Sequence, residues 1–139
     1  AIEGFHAALI PDAADQITWR IGDDGFDMTL SGFVPLTLAR ALPDQAAAIM
    51  GGARVSDFDL WAVHPGGRSV LDAVMHGLGL PADALAVSRG VLRDCGNMSS
   101  ATVMFVLQRM LADALPGQRG CALAFGPGLS AETMRFRVA

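Results

Sequence analysis

Residues Ala101 to Leu115 are apolar on almost every side, and this segment constrains the chain more than any other. Val103, Met104, Phe105, Val106, Leu107, Met110 and Leu111 crowd together too closely to line a single helical stripe. A helix of this kind needs cover all round, so the pattern predicts a buried helix surrounded by the remaining elements. Pro116-Gly117 closes it.

The rest of the chain supplies candidate cover. Ala7 to Ile10, Ile17 to Ile21 and Phe26 to Leu30 are short apolar runs bounded by turn residues, and Gly22-Asp23-Asp24-Gly25 between the last two predicts an antiparallel pair. From Pro35 to Met50 the period changes to a helical one, with Leu38, Ala41, Leu42, Ala46 and Ile49 in step and Gly51-Gly52 as the stop. Phe58 to Val63 is a strand halted by His64-Pro65-Gly66-Gly67, and Ser69 to Leu78 follows as a helix. After Pro81 the sequence suggests a connector leading to Val91-Leu92. Two strands finish the chain, Cys121 to Phe125 and Met134 to Val138, joined across Gly126-Pro127-Gly128-Leu129-Ser130. Strands alternating with helices around one buried helix give an α/β or α+β domain with a mixed sheet.

A chain of 139 residues is sized for one domain. Its content of 52% hydrophobic against 17% charged residues has two explanations: internal strands in a tight core, or an apolar face covered by a partner or by further sequence. No apolar run is long enough for a bilayer span and the first residues do not form a leader, so a soluble, cytoplasmic protein is expected. The net charge of −4, with scattered basic residues, predicts neither nucleic acid nor membrane as a partner. Cys95 and Cys121 fall in no CxxC or Cys/His spacing, so no metal site and no disulfide framework is expected, and both read as structural.

Chemistry is concentrated in the loops. His64 stands where an apolar strand meets a glycine pair, the position at which open α/β sheets present groups to a ligand; a strand-capping histidine is the plain alternative. Gly66 and Gly67 let a ligand approach the backbone just before a helix N-terminus. Asn97 stands at the mouth of the apolar helix, where helix capping by Asn97, Ser99 or Ser100 is the plain reading. The functional reading aims the Asn97 amide and the His64 ring at one carbonyl oxygen, an arrangement that stabilises an oxyanion or enolate. Ser69 lies in no GxSxG elbow, which argues against a serine hydrolase.

His64-Pro65-Gly66-Gly67, Gly96-Asn97-Met98-Ser99-Ser100 and Phe125-Gly126-Pro127-Gly128, in this order and at these separations, closely resemble the type III polyketide synthases of the chalcone synthase family. The resemblance runs over Trp61 to Val138 and more weakly back to about Ile17. It implies an α/β fold, one half of a thiolase-like enzyme with a mixed sheet packed by helices around a buried central helix, and makes residues 1–139 the C-terminal domain. It also implies condensation of an acyl-CoA starter with malonyl-CoA, with CoA thioesters as substrates and no cofactor. His64 and Asn97 would be catalytic; Met28, Gly66, Gly67, Arg68, Ser99, Phe125, Gly126 and Pro127 would contact substrate.

Two departures stand out. Met28 occupies the place of an aromatic gatekeeper, and Ala124 replaces the glycine that commonly opens the Phe-Gly-Pro-Gly loop. Neither cysteine occupies the family's nucleophile position, so the resemblance implies a missing N-terminal half that brings the cysteine, and a homodimer when the protein is full length. Two alternatives share the fold: a noncatalytic thiolase-like module that binds acyl-CoA, and half of a ketoacyl-carrier-protein synthase III-like enzyme. A self-contained hydrolase using Cys95 with His64 is a third.

Overall fold

The run Leu60-Trp61-Ala62-Val63 is apolar at every position because the strand it forms is covered on both faces, as parallel strands usually are. A computed structural model describes residues 1–139 and places this strand, β4 (Leu60–Val63), at the edge of a four-stranded sheet. The chain order is β1 (Ile2–Leu9), β2 (Ile17–Gly22), β3 (Gly25–Leu30), α1 (Val34–Ile49), β4, α2 (Arg68–Gly77), α3 (Ala86–Cys95), α4 (Thr102–Ala112), β5 (Arg119–Gly126) and β6 (Ser130–Arg137). In space the strands run β1-β6-β5-β4, with β4 parallel to β5 and the other pairs antiparallel. The mixed sheet expected from the sequence is therefore present, and β2 with β3 forms a separate antiparallel ribbon.

Helices α1 and α2 pack on one sheet face, where Leu38, Leu42, Ile49, Leu71 and Val74 meet Trp61, Val63, Cys121 and Leu123 in the larger core. On the other face a smaller core joins Val91 of α3 and Val106 and Met110 of α4 to Ala62, Ala122 and Phe136. Alternating side chains of β4 and β5 thus serve two different cores. The Glu3 carboxylate bridges Arg119 of β5 and Arg137 of β6, at 3.0 and 2.9 Å, and so ties β1 both to its neighbour β6 and to the strand beyond it.

Three local features differ from the sequence reading. The first strand begins at Ile2 rather than Ala7: Gly4 and His6 occupy the inward positions while Phe5 is exposed, so the apolar pattern does not mark these residues as a strand. The connector after Pro81 contains the ten-residue helix α3, whose buried residues are only Ser88 and Val91, too few for a visible apolar stripe. The apolar helix α4 buries Thr102, Val106 and Met110 alone; Met104 is 62% exposed, and Phe105 and Leu111 also face outward. Within these 139 residues nothing covers that side.

The uncovered area continues across the sheet. Phe5, Ala7 and Leu9 pair with Met134, Glu132 and Ser130, and Met134 in turn pairs with Ala122 of the smaller core, so these side chains share the α4 face. Phe5 and Leu9 are each 70% exposed there. The oily composition therefore has two structural sources, strands β4 and β5 covered on both faces and an exposed apolar face on β1 and α4.

Gly120 makes the closest approach in the smaller core: a Cβ at this position would lie 2.1–2.6 Å from three ring atoms of Phe136, its cross-strand partner. Gly120→Ala is expected to cost about 1–3 kcal/mol of stability through forced displacement of the ring. Urea denaturation of Gly120→Ala and of Gly120→Ala with Phe136→Leu checks this, the second change restoring part of the loss.

Candidate functional site

Because β4 and β5 are parallel, their carboxyl ends open at the same edge of the sheet, and the loops that follow converge there. His64 comes directly after β4 and extends the ladder by one bond, its N–H donating to the Leu123 carbonyl at 2.8 Å. The end of β5 contributes Phe125, Gly126 and Pro127. These groups line a cavity of about 650 Å³, together with the mouth of α4 and one face of the β2–β3 ribbon.

The ribbon explains the apolar wall of that cavity. Cross-strand pairing sets Ile17 opposite Leu30, Trp19 opposite Met28 and Ile21 opposite Phe26, so all six apolar side chains project from one face. Trp19 and Phe26 meet edge to face with centroids 5.5 Å apart. Ile21, at the tip, is 86% exposed.

Asn97 is delivered by a sharp reversal. Gly96, at φ 71° and ψ −169°, ends α3 in a conformation open almost only to glycine. The Asn97 side chain then bridges two loops: its Nδ2 donates to the Gly66 carbonyl at 3.2 Å, and its Oδ1 accepts the Ser99 N–H at 2.9 Å. Since a backbone N–H fixes which end is the oxygen, the amide nitrogen must face the His64 loop. The expected capping by serine is absent: α4 has no side-chain cap bond, and the local cap is the bond from Ser99 N–H to Asn97.

Met28, His64, Gly66, Gly67, Asn97, Ser99, Phe125, Gly126 and Pro127 all line the cavity, as the sequence reading grouped them. Arg68 does not; it begins α2, exposed, outside the lining. Trp19 and Glu132 line it without having been singled out. The strict alternation of Ile17, Trp19 and Ile21 marked Trp19 as sharing a face with Met28, but only the folded ribbon shows where that face points.

Burial alone depresses the basicity of the half-buried His64 ring, so its pKa lies below the usual 6.5 and the ring is neutral at pH 7. A neutral imidazole has one N–H donor, and Asn97 has a second amide hydrogen beyond the one held by Gly66. Neither cysteine enters the cavity. Cys121 is fully buried and its thiol is pushed up to about 12 by desolvation, so it stays protonated. Cys95 is not buried in the core as a structural cysteine would be; it ends α3 on the surface, its Sγ 3.6 Å from Arg109 Nη2. The hydrolase alternative built on Cys95 and His64 finds no support in this arrangement.

Residues 4–139 match the family described as chalcone and stilbene synthases, C-terminal domain. Among curated relatives, the alpha-pyrone synthesis polyketide synthase-like protein Pks18 of Mycobacterium tuberculosis is 33% identical over 99% of this chain and 36% of its own length. Among solved structures, PKS-I of the brown alga Ectocarpus siliculosus superposes with a TM-score of 0.86 at 37% identity, over all of this chain and 39% of that one. The bacterial type III polyketide synthase 1,3,6,8-tetrahydroxynaphthalene synthase of Streptomyces coelicolor A3(2) gives 0.87 at 30% identity, over all of this chain and 41% of its own. The chain thus spans well under half the length of these proteins, and with residues 4–139 matching the C-terminal domain model it belongs to the chalcone and stilbene synthase family.

Proposed function

We propose that residues 1–139 are the C-terminal domain of a type III polyketide synthase that condenses an acyl-CoA starter with malonyl-CoA by decarboxylative Claisen condensation. One observation carries the reading: the bond from Asn97 Nδ2 to the Gly66 carbonyl draws the asparagine loop onto the histidine loop at the rim of one apolar-walled cavity. Two neutral donors on a shared cavity are what an enolate oxygen requires.

The chemistry divides between this domain and a preceding one. A cysteine thiolate of the preceding domain attacks the starter thioester; the new S–acyl bond forms as the acyl–SCoA bond breaks, and CoA leaves as thiolate. Malonyl-CoA then loses carbon dioxide, and the electron pair of the broken C–C bond becomes an enolate whose oxygen accepts hydrogen bonds from His64 and Asn97. The enolate carbon attacks the acyl thioester and the cysteine leaves as thiolate. Met28, Ser99, Phe125, Gly126 and Pro127 contact the growing chain, with Gly66 and Gly67 allowing close approach of the thioester. Arg68, outside the lining, meets the CoA phosphates at the entrance.

The open apolar surface of β1, β6 and α4 supports the same division, because the sequence of α4 demands cover that this domain does not supply. The preceding domain covers it, and the full-length protein works as a cytoplasmic homodimer. No helix of the chain is long and apolar enough to cross a membrane.

The 139-residue chain alone is expected to release no condensed product from acyl-CoA and malonyl-CoA, whereas product forms when a cysteine-bearing first domain is supplied. Product formation by the isolated chain, with acylation of Cys95 seen in its intact mass, is the result that sinks the reading. In the full-length enzyme, His64→Ala and Asn97→Ala should each lower kcat roughly 10²–10³-fold, the usual loss for one oxyanion donor, while acyl-CoA binding survives. Titration of the His64 ring by NMR in this chain should give a midpoint below 6.5, with the neutral donor form dominant above that midpoint.

A further inference from the structure

Thr102 opens α4 and is completely buried, one turn before the smaller-core residue Val106 on the same helix face, yet it has a hydroxyl. A buried hydroxyl without partners is costly, and here its one donor and one of its two acceptor sites are both engaged by one short stretch of backbone. Its Oγ1 accepts the Met98 N–H at 2.7 Å and donates to the Ser99 carbonyl at 2.8 Å; Asn97 Oδ1 lies farther off, at 3.4 Å. The single hydroxyl proton goes to the nearer acceptor.

The stretch so gripped is strained. Ser99 has φ 59°, a left-handed conformation uncommon outside glycine, asparagine and aspartate. That conformation aims the Ser99 N–H back at Asn97 Oδ1, and so turns Asn97 Nδ2 toward Gly66 and the cavity. If Ser99 relaxed to an ordinary backbone, Asn97 Oδ1 would lose its donor and the amide could rotate. Neither Ser99 nor Ser100 supplies a hydroxyl cap that would hold the turn instead.

We infer that Thr102 is a positioning residue: its hydroxyl holds the Met98–Ser99 backbone in the left-handed turn that orients the Asn97 amide toward the reacting oxygen. Thr102 touches no substrate, since it lies outside the cavity lining. The kinetic part of this claim rests on the polyketide synthase reading; the structural part does not.

The test uses the full-length enzyme with Thr102→Val, which keeps the shape and removes the hydroxyl, and Thr102→Ser, which keeps the hydroxyl and removes the methyl. Two readouts are taken. Amide hydrogen exchange at Ser99 should accelerate at least about tenfold in Thr102→Val and stay near wild type in Thr102→Ser. The kcat for condensation should fall about tenfold in Thr102→Val with KM for malonyl-CoA within about twofold, and recover in Thr102→Ser. Thr102→Val added to Asn97→Ala should cause no further loss, because a residue acting through Asn97 has nothing left to position. Unchanged Ser99 exchange in Thr102→Val overturns the inference, and so do multiplicative losses in the double variant. Should the valine variant not fold, Thr102→Ala takes its place in the same measurements. An inactive wild-type enzyme would sink the polyketide synthase reading instead, and the exchange measurement would still decide whether Thr102 holds the turn.

Discussion

The parallel pairing of β4 with β5 is the constraint from which the site follows. Antiparallel neighbours would put the ends of these strands at opposite edges of the sheet; parallel ones place the His64 loop and the Phe125-Gly126-Pro127 loop side by side. A parallel pair needs a crossover, and here α2, α3 and α4 intervene before β5, so the crossover itself carries Asn97 and the mouth of α4 to the same edge. Pairing two short strands therefore gathers three sequence motifs that are far apart in the chain.

Gathering is not yet alignment. What sets the direction of the groups is a relay of ordinary hydrogen bonds, from a buried threonine through a strained serine to an asparagine and on to a backbone carbonyl beside the histidine. Each bond is modest, but each removes one rotation of the next group. The strain at Ser99 and the glycine-only geometry at Gly96 bracket Asn97 on both sides, so the residue is held by a backbone unable to slide.

The sequence revealed this site better than it revealed the surrounding fold. His64 and the Phe125 loop sit where apolar runs give way to glycine-rich turns, and Asn97 where a glycine turn opens onto an apolar run; such changes are visible in a linear string. Trp19 and Glu132 belong to strand faces whose orientation is decided by tertiary packing, so nothing local marked them as cavity residues. Helix α3 carries no visible stripe because it buries little apolar surface, and the start of β1 none because its inward positions hold Gly4 and His6. The pattern of α4 predicts cover on all sides, yet within these residues only Thr102, Val106 and Met110 are buried, because periodicity registers how apolar a helix is and not which of its faces the rest of the chain reaches.

The β2–β3 ribbon hydrogen-bonds as a sheet of its own, apart from the four strands that organise the two cores. Its apolar side chains border the cavity at one end and solvent at the other, and of the six only Ile17 belongs to the core. Exchanging Trp19, Met28 or Leu30 for a larger or smaller side chain therefore reshapes the chamber without reopening the packing that keeps the domain folded. The architecture separates the part that natural selection must preserve from a panel it is free to rewrite, which gives a lineage of such domains a short mutational route from one chamber shape to another.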